Sequence, residues 1–132
     1  MSFLVDSDTC SAYLKGDRRV WGRFMQYSGV LHVSVVTVGE LFTWARRAKA
    51  PPQRLIDLQA LLGVATVLPV DLAVATKFGE VRALLLDAGT PAPDMDLLNA
   101  STALVQNLTV VTHNTRDYAN IPGLSLDDWL VL

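Results

Sequence analysis

Short apolar runs rich in β-forming residues alternate along this chain with longer segments of helical periodicity, and this alternation constrains the fold more than any other feature. The runs predict strands at residues 2–5, 30–33, 66–70, 108–111 and 124–126. The segments between them predict helices, including 8–16, 17–27, 71–87 and 94–106. Strands that alternate with helices are typical of an α/β domain with a mostly parallel sheet, and strands that are apolar throughout predict helices on both faces.

Composition limits the class of protein. The chain has 132 residues, of which 51% are hydrophobic and 18% charged, which predicts one compact domain over residues 1–132. Its single cysteine, Cys10, cannot form an internal disulfide and is expected to be buried and inert. With no signal peptide in the sequence, a cytoplasmic location is expected. Residues 1–60 hold 8 basic and 5 acidic groups, which could serve a phosphate backbone, although ordinary solvated helix faces explain them as well.

Acidic and amide side chains stand where the carboxyl ends of the predicted strands should meet. Asp6 directly follows the first strand, Asn114 follows the fourth, and Glu40 lies in the first turns of the helix after the second. Sites in parallel sheets form at this edge. Asp96 begins the helix before the fourth strand, and the sequence alone does not place it at the same edge.

Clustered carboxylates suggest a hard cation such as Mg²⁺ or Mn²⁺, which could activate water and stabilise charge on a phosphate. Structural explanations compete with this one. Asp6 could cap a helix, with Asp8 or Thr9 also near the cap, and Asp96 could favour a helix dipole. Glu40 is harder to explain structurally, because it stands among apolar residues and there needs a partner or a function.

Other chemistries lack their sequence signatures. No glycine-rich phosphate loop and no G-x-S-x-G nucleophile elbow occur. His32 is expected to pack within a strand. His113 lies beside the proposed site, but a loop histidine without a role is the simpler interpretation.

At this point the ordered acids form a recognisable set, and the chain resembles the PIN-domain family, in particular the VapC toxins of bacterial toxin–antitoxin pairs. The similar segments span nearly the whole sequence. They are residues 3–9 (FLVDSDT, like L-D-T-N), 33–41 (VSVVTVGEL, like I-S-x-x-T-x-x-E-L), 79–84 with 89–91 (GEVRAL and GTP, like G-x-I-R-A-x-L and G-T-P), 96–100 (DLLNA, like D-x-x-I-A-A), 110–118 (VVTHNTRDY, like V-V-T-x-N-x-R-[DE]-F) and 121–124 with 128–129 (IPGL and DW).

The resemblance implies a three-layer α/β/α sandwich around a mostly parallel sheet of four or five strands in the order 3-2-1-4-5. It also implies endonucleolytic cleavage of RNA that depends on Mg²⁺ or Mn²⁺. Asp6 and Asp96 are then the expected metal ligands, and Glu40 a further acid that acts on the metal or its water. A VapB-type antitoxin partner and a homodimer are implied too, with Trp21, Phe24 and Trp44 as candidates for such surfaces or for the core.

Departures from the motifs concern the surroundings of the three leading acids. Asn114 occupies the position of a fourth acid, and Asp117 could take that role instead. Ser7 and Thr112 could hydrogen-bond the ligand carboxylates. Asp8 adds negative charge, Asp94 should point away from Asp96, and Asn99 replaces an apolar residue.

Two other functions remain possible at this stage. One is a PIN-domain nuclease that processes RNA without an antitoxin, and the other is a non-catalytic PIN-like binding module. The second alternative predicts the loss of a leading acid, and all three are present.

Overall fold

The computed structural model describes residues 1–131, and within them five strands alternate with seven helices. The strands are short and the helices carry most of the chain. In order, the elements are β1 (Phe3–Val5), α1 (Ser7–Leu14), α2 (Arg18–Gln26), β2 (Leu31–Ser34), α3 (Val35–Arg46), α4 (Gln53–Leu62), β3 (Thr66–Leu68), α5 (Leu72–Asp87), α6 (Asp94–Gln106), β4 (Thr109–Val111), α7 (Thr115–Tyr118) and β5 (Leu126–Asp127).

The five strands form one parallel sheet in the order β3-β2-β1-β4-β5, which confirms the predicted order. Central β1 pairs with β2 through Phe3 and Leu31 and with β4 through Val5 and Val111. Since all strands run the same way, the residues that follow β1, β2 and β4 lie at one edge of the sheet.

Helices cover both faces of this sheet, as expected for the α/β/α sandwich. Successive strand residues point to opposite faces, so Phe3 and Val5 enter one apolar cluster and Leu4 enters the other. The first cluster packs the strands against α1–α4 and includes the buried Trp129. The second packs them against α5, α6 and α7, and it includes Tyr118.

Several local predictions need correction. The N-cap of α1 is Asp6, whose side chain accepts from the Thr9 N–H, rather than Asp8 or Thr9. Strand β3 ends at Leu68 instead of residue 70, and it is an exposed edge strand that helices do not cover on both faces. Strand β5 comprises Leu126–Asp127 rather than 124–126. The predicted cap of α5 is confirmed, because Asp71 accepts from the Val74 N–H at 2.9 Å.

Within residues 1–131, no helix has the length and apolar character needed to cross a membrane.

Candidate active site

Asp6 lies at the carboxyl edge of the central strand and also begins a helix. Its backbone N–H donates to the Val111 carbonyl of β4 at 3.0 Å, which extends the sheet by one residue beyond β1. Its Oδ1 accepts from the Thr9 N–H at 3.4 Å, and only 5% of Asp6 is exposed. Asp6 therefore caps α1 and at the same time lies at the carboxyl edge of the sheet.

Burial makes Asp6 an unusual carboxylate. It raises the pKa of Asp6 to about 9, and the half-buried Asp8 carboxylate adds to the rise by hydrogen bonding and by like charge. The Thr112 hydroxyl and the Thr9 N–H favour the charged form but do not outweigh these effects. In the protein without a cation, Asp6 therefore holds a proton at neutral pH.

The first turn of α6 carries Asp96 to the same edge of the sheet. Helix α6 ends at Asn107, in the left-handed conformation, and β4 begins two residues later. Because α6 packs on the sheet and its last turn lies at the start of β4, its first turn lies near the carboxyl end of that strand. A helix that crosses directly into a parallel strand runs antiparallel to it, and this rule would have placed Asp96 from the sequence.

Asp96 faces a tyrosine and two acids. The Tyr118 hydroxyl donates to Asp96 Oδ1 at 3.4 Å. Burial raises the pKa of Asp96 to about 6, with further contributions from the charges of Asp117 and Glu40, while the bond from Tyr118 opposes them. Asp96 is thus the centre of a second acidic group, and Asp117 is its nearest acid.

Glu40 lies on the rim of this site rather than inside it. The buried residues of α3 form a stripe of Thr37, Leu41 and Ala45, and Glu40 is exposed beside that stripe. Its apolar neighbours in sequence do not enclose it, because they point to other sides of the helix. Its charge nevertheless acts on Asp96, so Glu40 stands near the site where solvent and substrate have access.

Asn114 and Asp117 act as a pair at the fourth position. The Asn114 N–H donates to Thr112 Oγ1 at 3.0 Å, which fixes the turn after β4. The Asn114 side-chain amide donates to the Asp117 carboxylate. The Asn114 amide therefore holds the Asp117 carboxylate, whose charge raises the pKa of Asp96.

The remaining candidates lie near the site without entering it. Ser7 is the half-buried first residue of α1. Asp94 points away from Asp96, as predicted, and pairs with Arg82 at 3.3 Å on the surface. His113 is exposed and contacts Asp128 at 3.0 Å. Cys10 is fully buried, as predicted, and burial raises the pKa of its thiol.

The sequence did not indicate that Tyr118 belongs to this site, nor which residues Asn99 contacts. Burial raises the pKa of Tyr118 above its usual range, and the charges of Asp6, Asp96 and Asp8 add to the rise. The Tyr118 hydroxyl therefore hydrogen-bonds Asp96 and also lies within range of the charges of Asp6 and Asp8. Asn99 is buried one helical turn after Asp96 and hydrogen-bonds Ser34 and Thr37. The available signal was a polar side chain at a motif position that is otherwise apolar.

The donor set suits a hard divalent cation. All donors near Asp6 and Asp96 are carboxylate, hydroxyl or amide groups, which favours Mg²⁺ or Mn²⁺ over softer metals. Within residues 1–131, no group of three or more His, Cys, Asp or Glu side chains is arranged to hold a metal by itself. Two carboxylates that leave the other positions to water and phosphate oxygens fit the way Mg²⁺ is usually held. A cation here would also favour the charged form of Asp6, whose pKa is raised mainly by burial and further by Asp8.

Comparison with known proteins gives consistent matches. The family model for the PIN domain matches residues 3–124. The chain is 31% identical to the tRNA(fMet)-specific endonuclease VapC of Salmonella typhimurium over 98% of both chains. It is 27% identical to ribonuclease VapC2 of Haemophilus influenzae over 84% of both. The structure is similar to DNA-bound VapBC from Salmonella typhimurium, with a TM-score of 0.92, 31% identity and 98% of both chains covered.

Proposed function

Because this chain belongs to the PIN-domain family, and within it to the VapC proteins, we propose that its acidic site at Asp6 and Asp96 cleaves RNA with the help of Mg²⁺ or Mn²⁺. RNA cleavage is the activity for which its relatives are named. The observation that supports the site is that Asp6 and Asp96, from different elements, lie at the same edge of the sheet and that the charges of both raise the pKa of Tyr118, whose hydroxyl donates to Asp96. Nothing in the apolar packing requires these acids to be there, and each is harder to ionise for being there.

Asp6 and Asp96 would hold the cation, which when bound supplies a Lewis acid for the phosphate and lowers the pKa of water. The Asn114 amide orients Asp117 beside Asp96, so this pair adds negative charge on the side of β4. Glu40 is exposed on the rim, where its carboxylate can accept a proton from the water that attacks phosphorus. As the water oxygen bonds to phosphorus, one P–O ester bond breaks, and the oxygen that leaves takes up a proton from solvent.

The protein is a VapC-type toxin that cleaves RNA and is neutralised by a VapB-type antitoxin. We propose initiator transfer RNA as the first substrate to test, because the relative that is 31% identical over the whole chain is named for that RNA. The homodimer remains a prediction. An RNA-processing role without an antitoxin predicts that no reading frame for a small antitoxin neighbours the gene.

The test is cleavage of purified initiator transfer RNA by the purified protein. We expect cleavage with Mn²⁺ or Mg²⁺, loss of cleavage in EDTA, and recovery when the cation is returned. Asp96→Asn should lose cleavage, whereas Asp94→Asn is the matched control, because Asp94 lies on the same helical turn and faces Arg82 instead. Equal activity of wild type and Asp96→Asn, or full activity in EDTA, would contradict the proposal.

A further inference from the structure

A buried asparagine joins the helix that carries Asp96 to the carboxyl end of β2. Asn99 is 2% exposed, and its carbonyl oxygen accepts from the Ser34 hydroxyl. Its Nδ2 donates to Thr37 Oγ1 at 3.2 Å. Ser34 is also the N-cap of α3 and accepts from the Thr37 N–H at 3.2 Å. Asn99 therefore fixes the first turns of α6 to the start of α3, the helix that carries Glu40.

A buried tyrosine continues this polar chain to Asp96. Tyr118 is 1% exposed, and its hydroxyl donates to Asp96 Oδ1 at 3.4 Å. Asp96 and Asn99 lie three residues apart on α6 and therefore share one face of the helix. The Asn99 side chain also opposes the rise in the pKa of Tyr118, so it acts on the same hydroxyl that donates to Asp96.

Asn99 and Tyr118 both stand at motif positions that are otherwise apolar. The motifs that this chain resembles have an apolar residue at each position, Ile in D-x-x-I-A-A and Phe in N-x-R-[DE]-F, where this chain has Asn99 and Tyr118. An isolated polar group in either place would be buried without a partner, which is unfavourable. In this protein Asn99 is satisfied by Ser34 and Thr37 and Tyr118 by Asp96, and no buried side-chain polar atom among residues 1–131 lacks a hydrogen-bond partner.

We propose that Asn99 and Tyr118 act as one positioning pair, which holds the Asp96 carboxylate in the orientation that binds the divalent cation. The inference rests on the proposed function, since it assigns a cation to Asp96. The Tyr118 hydroxyl occupies one oxygen of that carboxylate and leaves the other for the cation. Through its bonds to Ser34 and Thr37, Asn99 holds the first turns of α6, and with them Asp96, at a fixed distance from the carboxyl end of β2. Neither side chain binds the cation or the RNA.

The test is Mn²⁺ binding by the full-length protein, measured by calorimetry and by the loss of the free Mn²⁺ signal in electron spin resonance. Polar groups that orient a metal ligand contribute about 10–100-fold to metal affinity or activity. We therefore expect Tyr118→Phe and Asn99→Leu each to raise the Mn²⁺ dissociation constant by about tenfold or more. The KM for RNA at saturating Mn²⁺ should stay unchanged, because neither residue contacts the substrate.

Tyr27→Phe is the matched control. Tyr27 packs in the other core, with its ring 5.7 Å from that of Trp129, so its hydroxyl is remote from Asp96. This variant should bind Mn²⁺ like the wild type. The double variant Asn99→Leu/Tyr118→Phe should lose less affinity than the product of the two single losses, because the two residues act on the same carboxylate.

The outcomes separate this inference from the proposed function. Wild-type binding that Asp96→Asn abolishes, together with unchanged binding in both Tyr118→Phe and Asn99→Leu, would overturn the positioning pair and leave the proposed function intact. Losses that multiply in the double variant would overturn joint action. Lower thermal stability with unchanged Mn²⁺ affinity would show a purely structural role. No Mn²⁺ binding by the wild type would overturn both proposals.

Discussion

Replacing Asp6 with asparagine should stabilise the metal-free protein at neutral pH while it removes the activity. Asn is as good an N-cap as Asp, so α1 keeps its bond from the Thr9 N–H. Asn also has nearly the same shape, and its side chain carries no charge to bury. The substitution therefore isolates the free energy of ionising a carboxyl group that is 5% exposed and lies beside Asp8.

The magnitude follows from the two protonation states. The pKa of Asp6 rises from 3.8 in the unfolded chain to about 9 in the folded protein. Because the folded state holds the proton more tightly, the contribution of Asp6 to stability is fully present below pH 3.8 and is lost as pH rises through this window. Each pH unit corresponds to about 1.4 kcal/mol, so the span from 3.8 to 7 gives an upper limit of about 4 kcal/mol. Since Asp8 carries part of the same repulsion, we expect Asp6→Asn to be more stable by about 2–4 kcal/mol at pH 7.

Urea unfolding in EDTA, repeated from pH 4.5 to pH 8, measures this difference. The advantage of Asp6→Asn should grow with pH and shrink to about 1 kcal/mol or less at pH 4.5, which is close to the unfolded pKa of 3.8. Asp17→Asn is the control, because Asp17 also caps a helix, but hydrogen bonding with Arg19 lowers its pKa to about 2. The ionised Asp17 carboxylate stabilises the folded protein above its unfolded pKa of 3.8, and this stabilisation is lost toward pH 2. Replacing Asp17 with neutral asparagine should therefore not stabilise the protein. A pH-independent difference for Asp6→Asn, or a more stable wild type at pH 7, would refute the assignment of Asp6 as a buried, repelled acid.

Three further predictions concern the surroundings of the site. Asn99→Leu should lower the free energy of unfolding by about 1–3 kcal/mol, because two buried hydroxyls lose their partner, and urea titration measures the change. Asp94→Asn should change it by less than about 1 kcal/mol, because its pair with Arg82 is exposed; a larger loss in the same titration would contradict this reading of the pair. Cys10 should react with a thiol reagent only as fast as the protein unfolds, since its thiol is buried and its pKa raised; rapid labelling of the folded protein would show that it is accessible.

The sheet was predictable because its signals are local. The apolar runs that became β1, β2 and β4 are bounded by caps and glycines, and the parallel sheet follows from their alternation with helices. The strand order came from the resemblance, because local patterns do not say which strands pair. The exposure of β3 was missed, since an apolar edge strand has the same sequence as a buried one until its neighbours are known.

The site was predictable in part. Asp6 could be placed because it directly follows a central strand, whereas Asp96 needed the direction of its helix. The exposure of Glu40 could not be read from its apolar neighbours in sequence, since neighbours on a helix point to different sides. The contact between Asp96 and Tyr118 joins residues 22 positions apart in the chain, and the bond between Ser34 and Asn99 joins residues 65 apart. Such contacts depend on packing, which no local pattern encodes.

The central claim is that the acidic site at Asp6 and Asp96 cleaves RNA. The most direct measurement is to express the wild type and Asp96→Asn separately in bacteria and to map RNA 5′ ends across the transcriptome after growth stops. We predict a small set of new 5′ ends in cells with the wild type and their absence in cells with Asp96→Asn at equal protein level. Identical maps for the two proteins, or a wild-type map without new ends, would contradict the account.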